Sequence, residues 1–295
     1  MDKIIVFVRV MRPKHYLKNF LVVVPLFFDL NIFDKKSLLC VLLGFIAFSL
    51  LSSSIYIIND ILDLESDRKS ESKKNRPIAS GAVGIGEAVA LAVVLLLAVA
   101  GISYALQGKG LVWVLLYFVL NIAYSMKLKH IPIVDVTILA SGFLIRLLYG
   151  AAITDITISS WLCMTVIAIS FYMGLGKRRN ELVKHGAVEG ENATSVRGVL
   201  KFYNEAFLDK NMYMLLGMGI VFYALWSSAE TTIEKIGSNA TIWTVPIVII
   251  LAMRYSLDIE KDESGDPIEV MLSDKWLVVI AAVYVAVITF ILYFA

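Results

Sequence analysis

Long apolar runs alternate with short polar segments along this chain, and the runs are long enough to cross a bilayer. A membrane-spanning helix needs about 20 mostly apolar residues, within a range of roughly 17–25. By this criterion the chain of 295 residues predicts an all-α integral membrane protein with about nine transmembrane helices. The predicted spans are approximately 17–33, 38–60, 84–106, 110–128, 134–154, 160–177, 211–229, 240–257 and 275–294.

The segment before the first span is basic and lacks a small-residue cleavage site. We therefore expect a cytoplasmic amphipathic helix that leads into the membrane, and not a removable signal. The first span is the least regular, because it is short and contains Pro25. The cations of the N-terminal segment are Lys3, Arg9, Arg12, Lys14 and Lys18.

Charge sorts the polar segments into two sets. The basic set holds 22 of the 27 lysines and arginines of the chain. Because cytoplasmic loops are enriched in Lys and Arg, this set is predicted to be cytoplasmic, with the C-terminus outside. We expect residues 1–295 to form one multi-pass domain in the cell inner (plasma) membrane. The basic set comprises the N-terminal segment, 60–84, 127–133, 177–211 and 254–275, and the other set contains Lys35, Lys36, Lys109 and Lys235.

Composition supports the membrane assignment and excludes two classes of site. Hydrophobic residues make up 59% and charged residues 18%, with a mean hydropathy of +0.78, whereas soluble proteins are roughly a quarter charged. The two cysteines, Cys40 and Cys163, both lie in apolar runs. Neither is near a histidine cluster, so a disulfide framework or a zinc site is not expected.

The densest candidate chemistry follows the second span. Asp60, Asp63 and Asp67 are spaced i, i+3 and i+7, so a helix would place them on one face. They would repel one another unless a cation lay between them, and Mg²⁺ is the hard cation that prefers oxygen ligands. A solvated helix end is the alternative, but acids at a helix C-terminus oppose the macrodipole at up to ~1 kcal/mol each. Glu65 is expected on the solvated face.

Cations follow the acidic stretch closely. Arg68, Lys73, Lys74 and Arg76 come within ten residues of Asp67. A metal-bound phosphate needs such charge-assisted hydrogen-bond donors. We therefore predict that this region binds a diphosphate group.

The fourth span ends in Tyr124-Ser125-Met126-Lys127-Leu128-Lys129-His130. Interfacial anchoring by a tyrosine and two lysines explains this segment when it is taken alone. Beside an acidic metal site, the Tyr124 hydroxyl and the Lys129 ammonium become candidate diphosphate contacts.

Arg146 lies in the middle of the fifth span. A buried arginine costs ~2.5–3.5 kcal/mol on insertion scales, so it normally has a partner or an aqueous cavity. A packing ion pair is the alternative, although Asp135, eleven residues away, would not reach it. We favour a role facing the site.

The sixth span ends in Gly174-Leu175-Gly176-Lys177-Arg178-Arg179-Asn180-Glu181. Lys177 and Glu181 could simply pair at i, i+4 for a few tenths of a kcal/mol. Alternatively, Glu181 adds a carboxylate to a second half-site in which Lys177 or Arg178 binds phosphate. The acidic segment 258–274 matches no calcium loop, and we expect a solvated loop there.

These motifs resemble those of the UbiA superfamily of intramembrane prenyltransferases. The pattern Asn59-Asp60-x-x-Asp63-x-x-x-Asp67 at the inner end of the second of about nine spans carries this resemblance, which covers nearly the whole chain. Within the superfamily, the details resemble the branch that transfers phosphoribose to decaprenyl phosphate. The motifs of this branch are Arg12-Pro13-Lys14-x-x-x-Lys18-Asn19, Asp67-Arg68, Lys74-x-Arg76-Pro77-Ile78, Tyr124-Ser125, Leu128-Lys129-His130, Ser141-Gly142-Phe143-Leu144-Ile145-Arg146 and Gly176-Lys177-Arg178-x-x-Glu181-Leu182.

One departure separates this chain from the superfamily members that prenylate aromatic acceptors. Those proteins resemble one another in a second D-x-x-x-D motif at the sixth span, where this chain has Lys177-Arg178-Arg179-Asn180-Glu181. A site that holds a sugar phosphate or a lipid monophosphate would want cations there.

The resemblance implies Mg²⁺-dependent transfer of 5-phosphoribose from phosphoribosyl diphosphate to a membrane polyprenyl phosphate of the decaprenyl type, for cell-envelope glycan precursors. It implies that Asp60, Asp63 and Asp67, with Asn59, hold Mg²⁺ at the cytoplasmic face. The acceptor phosphate has a second pKa near 6, so no general base is needed. Phosphate contacts are expected from Arg68, Lys73, Arg76, Lys129, Lys177 and Arg178, while Lys18, Asn19 and Arg146 hold the lipid phosphate or order the cavity.

Two other functions remain open from the sequence. Transfer of a polyprenyl chain to an aromatic acceptor is the alternative within the superfamily. A transporter is disfavoured, because transport sites place charge near the midplane on broken helices, whereas here the charges crowd one membrane face. The bilayer is an expected partner and nucleic acid is not. The polyprenyl chain length and homo-oligomer formation stay open.

Overall fold

The computed structural model describes residues 3–71, 73–186, 198–261 and 267–294. Within these ranges the chain forms helices and no β-strand, which confirms the all-α prediction. The α-helices are α1 Lys3–Met11, α2 Val24–Phe28, α3 Lys35–Leu62, α4 Leu64–Lys69, α5 Ile85–Ala105, α6 Leu111–Met126, α7 Val134–Thr154, α8 Ser160–Gly186, α9 Glu205–Ser227, α10 Glu230–Ile236, α11 Val245–Lys261, α12 Pro267–Ser273 and α13 Lys275–Tyr293. Short 3₁₀ helices cover Pro13–Val22, Leu128–His130, Leu200–Phe202 and Ala240–Thr244.

Six helices of the described chain are long and apolar enough to cross a membrane. A seventh span results if α9 and α10, which are bent by 52° relative to each other, are counted as one. Helix α6 is apolar but shorter. The multi-pass prediction is therefore confirmed, while the count of nine stays a prediction. The six spanning helices are α3, α5, α7, α8, α13 and the segment Ala240–Glu260 that contains most of α11.

The predicted span over 17–33 is wrong as a single helix. A ten-residue 3₁₀ helix ends at Val22, and α2 is only five residues long. Pro13 and Pro25 each lack a backbone N–H donor, and Arg12 adopts a left-handed conformation at φ 54°. These features divide the first apolar run into short pieces.

The acidic segment 258–274 is also more structured than expected. Asp262, Glu263 and Asp266 lie outside the described residues. The part that follows them forms α12, so the expectation of an uninterrupted loop is wrong there.

Side-chain caps fix the start of several helices. Asp34 accepts a hydrogen bond from the Ser37 amide at 2.8 Å, and Asn204 accepts one from the Phe207 amide at 2.8 Å. Each cap satisfies one of the backbone donors that a helix leaves unpaired in its first turn. The polar residues that separate the apolar runs therefore also define where the helices begin.

The chain folds into two compact units. The first comprises Met1–Ile138 and Ile145–Thr157, and the second comprises Leu139–Leu144 and Ile158–Ala295. In the first unit, Phe48 packs against the rings of Tyr117 and Tyr149 with centroids 4.8 and 5.1 Å apart. This aromatic cluster lies in an apolar core contributed by α3, α5, α6 and α7.

Candidate active site

The acidic stretch lies at a break between two helices and not on one continuous helix. Helix α3 ends at Leu62, Asp63 has a non-helical conformation (φ −92°, ψ 7°), and α4 begins at Leu64. The amide of Asp63 still donates to the carbonyl of Asn59 at 2.9 Å, and the amide of Asp67 donates to the carbonyl of Asp63 at 2.8 Å. The backbone therefore keeps helix-like hydrogen bonds across the break.

Asp60 and Asp67 converge on one cation. Arg76 Nη1 donates to Asp60 Oδ1 at 3.0 Å and to Asp67 Oδ2 at 2.7 Å. The two acidic residues are 4% and 1% exposed. Buried carboxylates require such pairing, because an unpaired ion in a low-dielectric region is strongly disfavoured.

Arg12 is a second cation on Asp60. Its Nη2 lies 2.5 Å from Asp60 Oδ1 and 2.7 Å from Oδ2, and its guanidinium lies 5.0 Å from the ring centroid of Tyr56. Arg12 belongs to a motif noted in the sequence, but it is not among the predicted site residues. The signal that could have identified Arg12 is the carboxylate of Asp60, which needs more than one cation if it is buried.

Asp63 faces a different partner. Lys129 Nζ, in the 3₁₀ turn after α6, lies 2.5 Å from Asp63 Oδ1. This pair brings the end of the fourth predicted span to the acidic stretch, while the predicted contact of Lys129 with diphosphate stays a prediction. Glu65 is exposed, as expected for the solvated face.

The described residues contain no group of three or more His, Cys, Asp or Glu side chains arranged around one metal position. However, two buried carboxylate oxygens point at a single cationic nitrogen of Arg76. Carboxylate oxygens are the donors that a hard divalent cation prefers. Asp60 and Asp67 therefore fit such an ion chemically, whereas Asp63 is directed toward Lys129 and its role as a metal ligand stays a prediction.

The remaining candidates near this stretch have varied surroundings. Arg68 is exposed, and its Nε donates to the carbonyl of Ala79 at 3.2 Å. Lys18, Asn59, Lys73 and Tyr124 are half-buried. Their predicted contacts with substrate remain predictions.

Arg146 donates hydrogen bonds to two neutral side chains inside the first unit. It is 4% exposed; its Nε donates to Asn19 Oδ1 at 2.7 Å and its Nη2 to the hydroxyl of Tyr117 at 2.7 Å. Its guanidinium also lies 5.4 Å from the ring centroid of Phe48. Because Phe48 precedes Asp60 by twelve residues, this network lies about 18 Å from the acids along α3. The two roles predicted for Asn19 and Arg146, binding the lipid phosphate and ordering the cavity, both stay predictions, and Tyr117 is a partner that the sequence did not identify.

In the second unit, α8 carries the basic motif. Arg178 is fully buried, and its Nη1 lies 2.5 Å from Glu181 Oε2. Lys177, the preceding residue, is half-buried. Next to them, Arg179 Nε lies 2.5 Å from Asp209 Oδ1 of α9. Arg178 and Glu181 are thus engaged with each other, and Lys177 is more accessible than Arg178.

Together, these features define a class: a multi-pass helical membrane protein with buried carboxylates paired with arginine and lysine. The comparison with family models gives the narrower assignment. Residues 22–176 match the UbiA prenyltransferase family, and the chain belongs to this family. The resemblance predicted from the sequence is confirmed.

Similar proteins extend the match over the whole chain. A decaprenyl-phosphate phosphoribosyltransferase from Corynebacterium glutamicum is 32% identical over 286 residues, covering 94% of this chain and 84% of that protein. A decaprenyl-phosphate phosphoribosyltransferase from Mycolicibacterium smegmatis is 30% identical, covering 98% of this chain and 92% of the relative.

Solved structures show the same fold. A UbiA homologue from Archaeoglobus fulgidus bound to GPP and Mg²⁺ superposes with a TM-score of 0.70 at 17% identity, covering 98% of this chain and 100% of the homologue. The same homologue bound to DMAPP and Mg²⁺ gives a TM-score of 0.71, also at 17% identity, covering 98% of this chain and 99% of the homologue. This similarity shows that the chain has the UbiA fold.

Proposed function

We propose that this protein transfers 5-phosphoribose from phosphoribosyl diphosphate to a membrane polyprenyl phosphate and releases diphosphate. The observation that carries the proposal is the near full-length similarity to proteins named decaprenyl-phosphate phosphoribosyltransferase. The basic segment Lys177–Glu181, where aromatic prenyltransferases of the superfamily would have a second D-x-x-x-D, supports the same choice of substrates.

We assign the acidic stretch to binding of the donor, phosphoribosyl diphosphate. Asp60 and Asp67, with Asp63 and Asn59, would hold Mg²⁺ at the diphosphate, a role supported by the Mg²⁺ of the solved UbiA homologue. When bound, the ion supplies Lewis-acid neutralisation of the charge that grows on the leaving group. Arg76 would bind diphosphate oxygens through charge-assisted hydrogen bonds.

The reaction itself breaks one bond and makes one. The anomeric C–O bond to diphosphate breaks with its electron pair on the diphosphate oxygen, through an oxocarbenium-like state. An oxygen of the acceptor phosphate then forms the new bond to the ribose carbon. The acceptor is already anionic at neutral pH, so no side chain has to remove a proton.

We further propose that the site lies at the cytoplasmic face of the cell inner membrane and that the lipid product serves cell-envelope glycan synthesis. The concentration of lysine and arginine in the segments assigned to the inside supports this orientation. The second candidate function, prenyl transfer to an aromatic acceptor, is supported by the name of the matched family.

A label-transfer assay distinguishes the two functions. Purified protein with Mg²⁺ should move label from phosphoribosyl diphosphate into a lipid-extractable product when a polyprenyl phosphate is supplied. A protein that forms no labelled lipid, but joins a prenyl diphosphate to a phenolic acceptor, would have the second function.

A matched pair of variants tests the assignment of the acids. Asp60→Asn should abolish transfer while the protein remains extractable in detergent, because the buried carboxylate at the centre of the cluster is lost. Glu65→Gln, which neutralises an exposed acid of the same stretch, should leave the rate near normal. A near-normal rate for Asp60→Asn at saturating Mg²⁺ would contradict the metal assignment.

A further inference from the structure

The second unit contains an apolar cleft that the proposed chemistry does not use. It has a volume of about 290 Å³ and is lined by side chains of α8, α9, α11, α12 and α13. Its lining is almost entirely carbon, although four tyrosines contribute to it. Most of the lining residues belong to predicted membrane spans.

The hydroxyls of three of these tyrosines are satisfied by the protein. The Tyr172 hydroxyl lies 2.7 Å from the hydroxyl of Ser256, and that of Tyr223 lies 2.6 Å from the hydroxyl of Thr244. Tyr284 donates to the Tyr223 hydroxyl at 3.0 Å. Because these polar atoms are bound to one another, the rings present apolar surface to an occupant. The cleft therefore suits hydrocarbon and not a polar head group.

The size of the cleft fits a short piece of prenyl chain. An apolar cavity of about 150 Å³ stays dry and accepts one benzene. A cleft of 290 Å³ is about twice as large, which corresponds to roughly two isoprenyl units by the same measure.

Lys177 continues one row of the cleft lining. Thr165, Ile169 and Met173 line the cleft from α8 at intervals of four residues, and Lys177 is the next residue of this row. Residues four apart lie on the same face of a helix, so Lys177 follows Met173 by about 6 Å along the axis. A cation one helical turn beyond the lining of an apolar cleft is the arrangement expected for an anionic lipid, with the phosphate at the cation and the chain in the cleft.

We propose that this cleft binds the isoprenyl units of the acceptor nearest its phosphate, and that Lys177 binds the phosphate. This inference rests on the proposed function for the identity of the lipid. It assigns the selection of a prenyl chain to the second unit, whereas the acids that hold the donor diphosphate belong to the first.

Two adjacent alanines of α13 provide a matched test. Ala281 lines the cleft, whereas Ala282 is exposed. Binding of prenyl monophosphates with one and with three isoprenyl units is measured by calorimetry without phosphoribosyl diphosphate. The wild type and Ala282→Phe should bind the longer compound at least about tenfold more tightly, the lower limit for one methylene-sized group in a hydrophobic pocket. In Ala281→Phe the ratio of the affinity for the longer compound to that for the shorter one should fall to about one.

The phosphate contact is tested separately. Lys177→Gln should weaken both compounds by a similar factor and leave their ratio unchanged. The proposal is overturned if Ala281→Phe and Ala282→Phe keep the same ratio, or if Lys177→Gln changes neither affinity. If Ala281→Phe does not give a monodisperse protein, Ala281→Leu fills less of the cleft and should reduce the ratio partially.

A competition experiment distinguishes the acceptor from ordinary bilayer lipid. Unlabelled three-unit prenyl phosphate should displace the labelled compound at much lower concentration than phosphatidylglycerol does. Equal displacement would make the cleft a general lipid site and overturn the proposal. Because no donor is present, failure of phosphoribosyl transfer leaves these results intact, and normal transfer with an unchanged chain preference refutes this inference alone.

Discussion

At the scale of single residues, Arg76 occupies the point where the carboxylates of Asp60 and Asp67 meet. Its Nη1 lies within 3.0 Å of an oxygen of each, which is where a divalent ion bound by both acids would have to lie. A guanidinium and an ion at this point would compete for the same oxygens. Arg76 pairs with both acids in this structure, and it would have to move for an ion to bind between them.

This competition predicts the metal affinity of a variant. Arg76→Ala should bind Mn²⁺ about tenfold or more tightly, since a hydrogen bond to a charged group contributes about 1.5–3 kcal/mol and no longer has to be broken. The measurement is electron paramagnetic resonance of Mn²⁺ with purified protein and no substrate. Transfer activity should nevertheless fall, because a predicted diphosphate contact is lost.

Lys74→Ala is the control for the loss of one positive charge. Lys74 is exposed and pairs with the exposed Glu71 at 3.4 Å, so its removal should leave Mn²⁺ affinity nearly unchanged. Equal affinities in the wild type and Arg76→Ala would show that the guanidinium does not occupy the metal position.

At the scale of helices, α11 and α13 are joined by an ion pair. Arg254 of α11 donates to the carboxylate of Asp274, which also caps α13 by accepting from the Trp276 amide at 3.0 Å. The hydrogen bond from Arg254 is the main cause that lowers the pKa of Asp274 from 3.8 to about 2. A carboxyl group with a lowered pKa in the folded protein stabilises it above its ordinary pKa and loses that contribution as the pH falls.

The lowered pKa of Asp274 predicts how the stability of the protein changes with pH. Asp274→Asn should lower the melting temperature by a constant amount at pH 5–7, and the difference should shrink as the pH falls from about 4 to about 2. Melting curves of the two proteins across this range provide the measurement. A difference that persists unchanged at pH 2 would show that the ionised carboxylate is not the stabilising species.

Helix α7 also lies very close to the backbone at Val22, and this contact depends on Gly150. A Cβ atom at Gly150 of α7 would lie 2.2 Å from the carbonyl oxygen of Val22. Because that atom belongs to the backbone, Gly150→Ala should destabilise the protein by about 1–3 kcal/mol, as overpacking does. Gly101 of α5 has no atom within 4 Å of its added Cβ, so Gly101→Ala should be neutral or stabilise by up to ~1 kcal/mol. Thermal unfolding of both variants in one detergent gives the comparison.

The sequence predicted these helices well wherever apolarity alone determines them. The predicted span over 134–154 coincides with α7, and 84–106 differs from α5 by one residue at each end. The breaks at Arg12 and Asp63 were missed, because they depend on backbone conformation and on partners distant in sequence. Periodicity placed the three acids on one face, but Asp60 and Asp67 pair with Arg76 whereas Asp63 pairs with Lys129.

At the scale of the whole molecule, the sequence identified most of the candidate site because its residues are charged within an apolar chain. The sequence could not show which of these charged residues form ion pairs with one another. Arg12 and Asp60 are 48 residues apart, and Lys129 and Asp63 are 66 apart. Such long-range contacts follow from helix packing, which the hydropathy pattern does not encode.

The predicted orientation of the chain gives a test on intact cells. Asn75, in the segment assigned to the inside, and Thr231 of α10, in a segment assigned to the outside, are both exposed. In a variant without Cys40 and Cys163, a membrane-impermeant maleimide should label Thr231→Cys in intact cells. It should label Asn75→Cys only after permeabilisation, because the basic segments are predicted to lie in the cytoplasm. Labelling of Asn75→Cys in intact cells would reverse the orientation and place the acidic stretch on the outer face, away from a cytoplasmic supply of phosphoribosyl diphosphate.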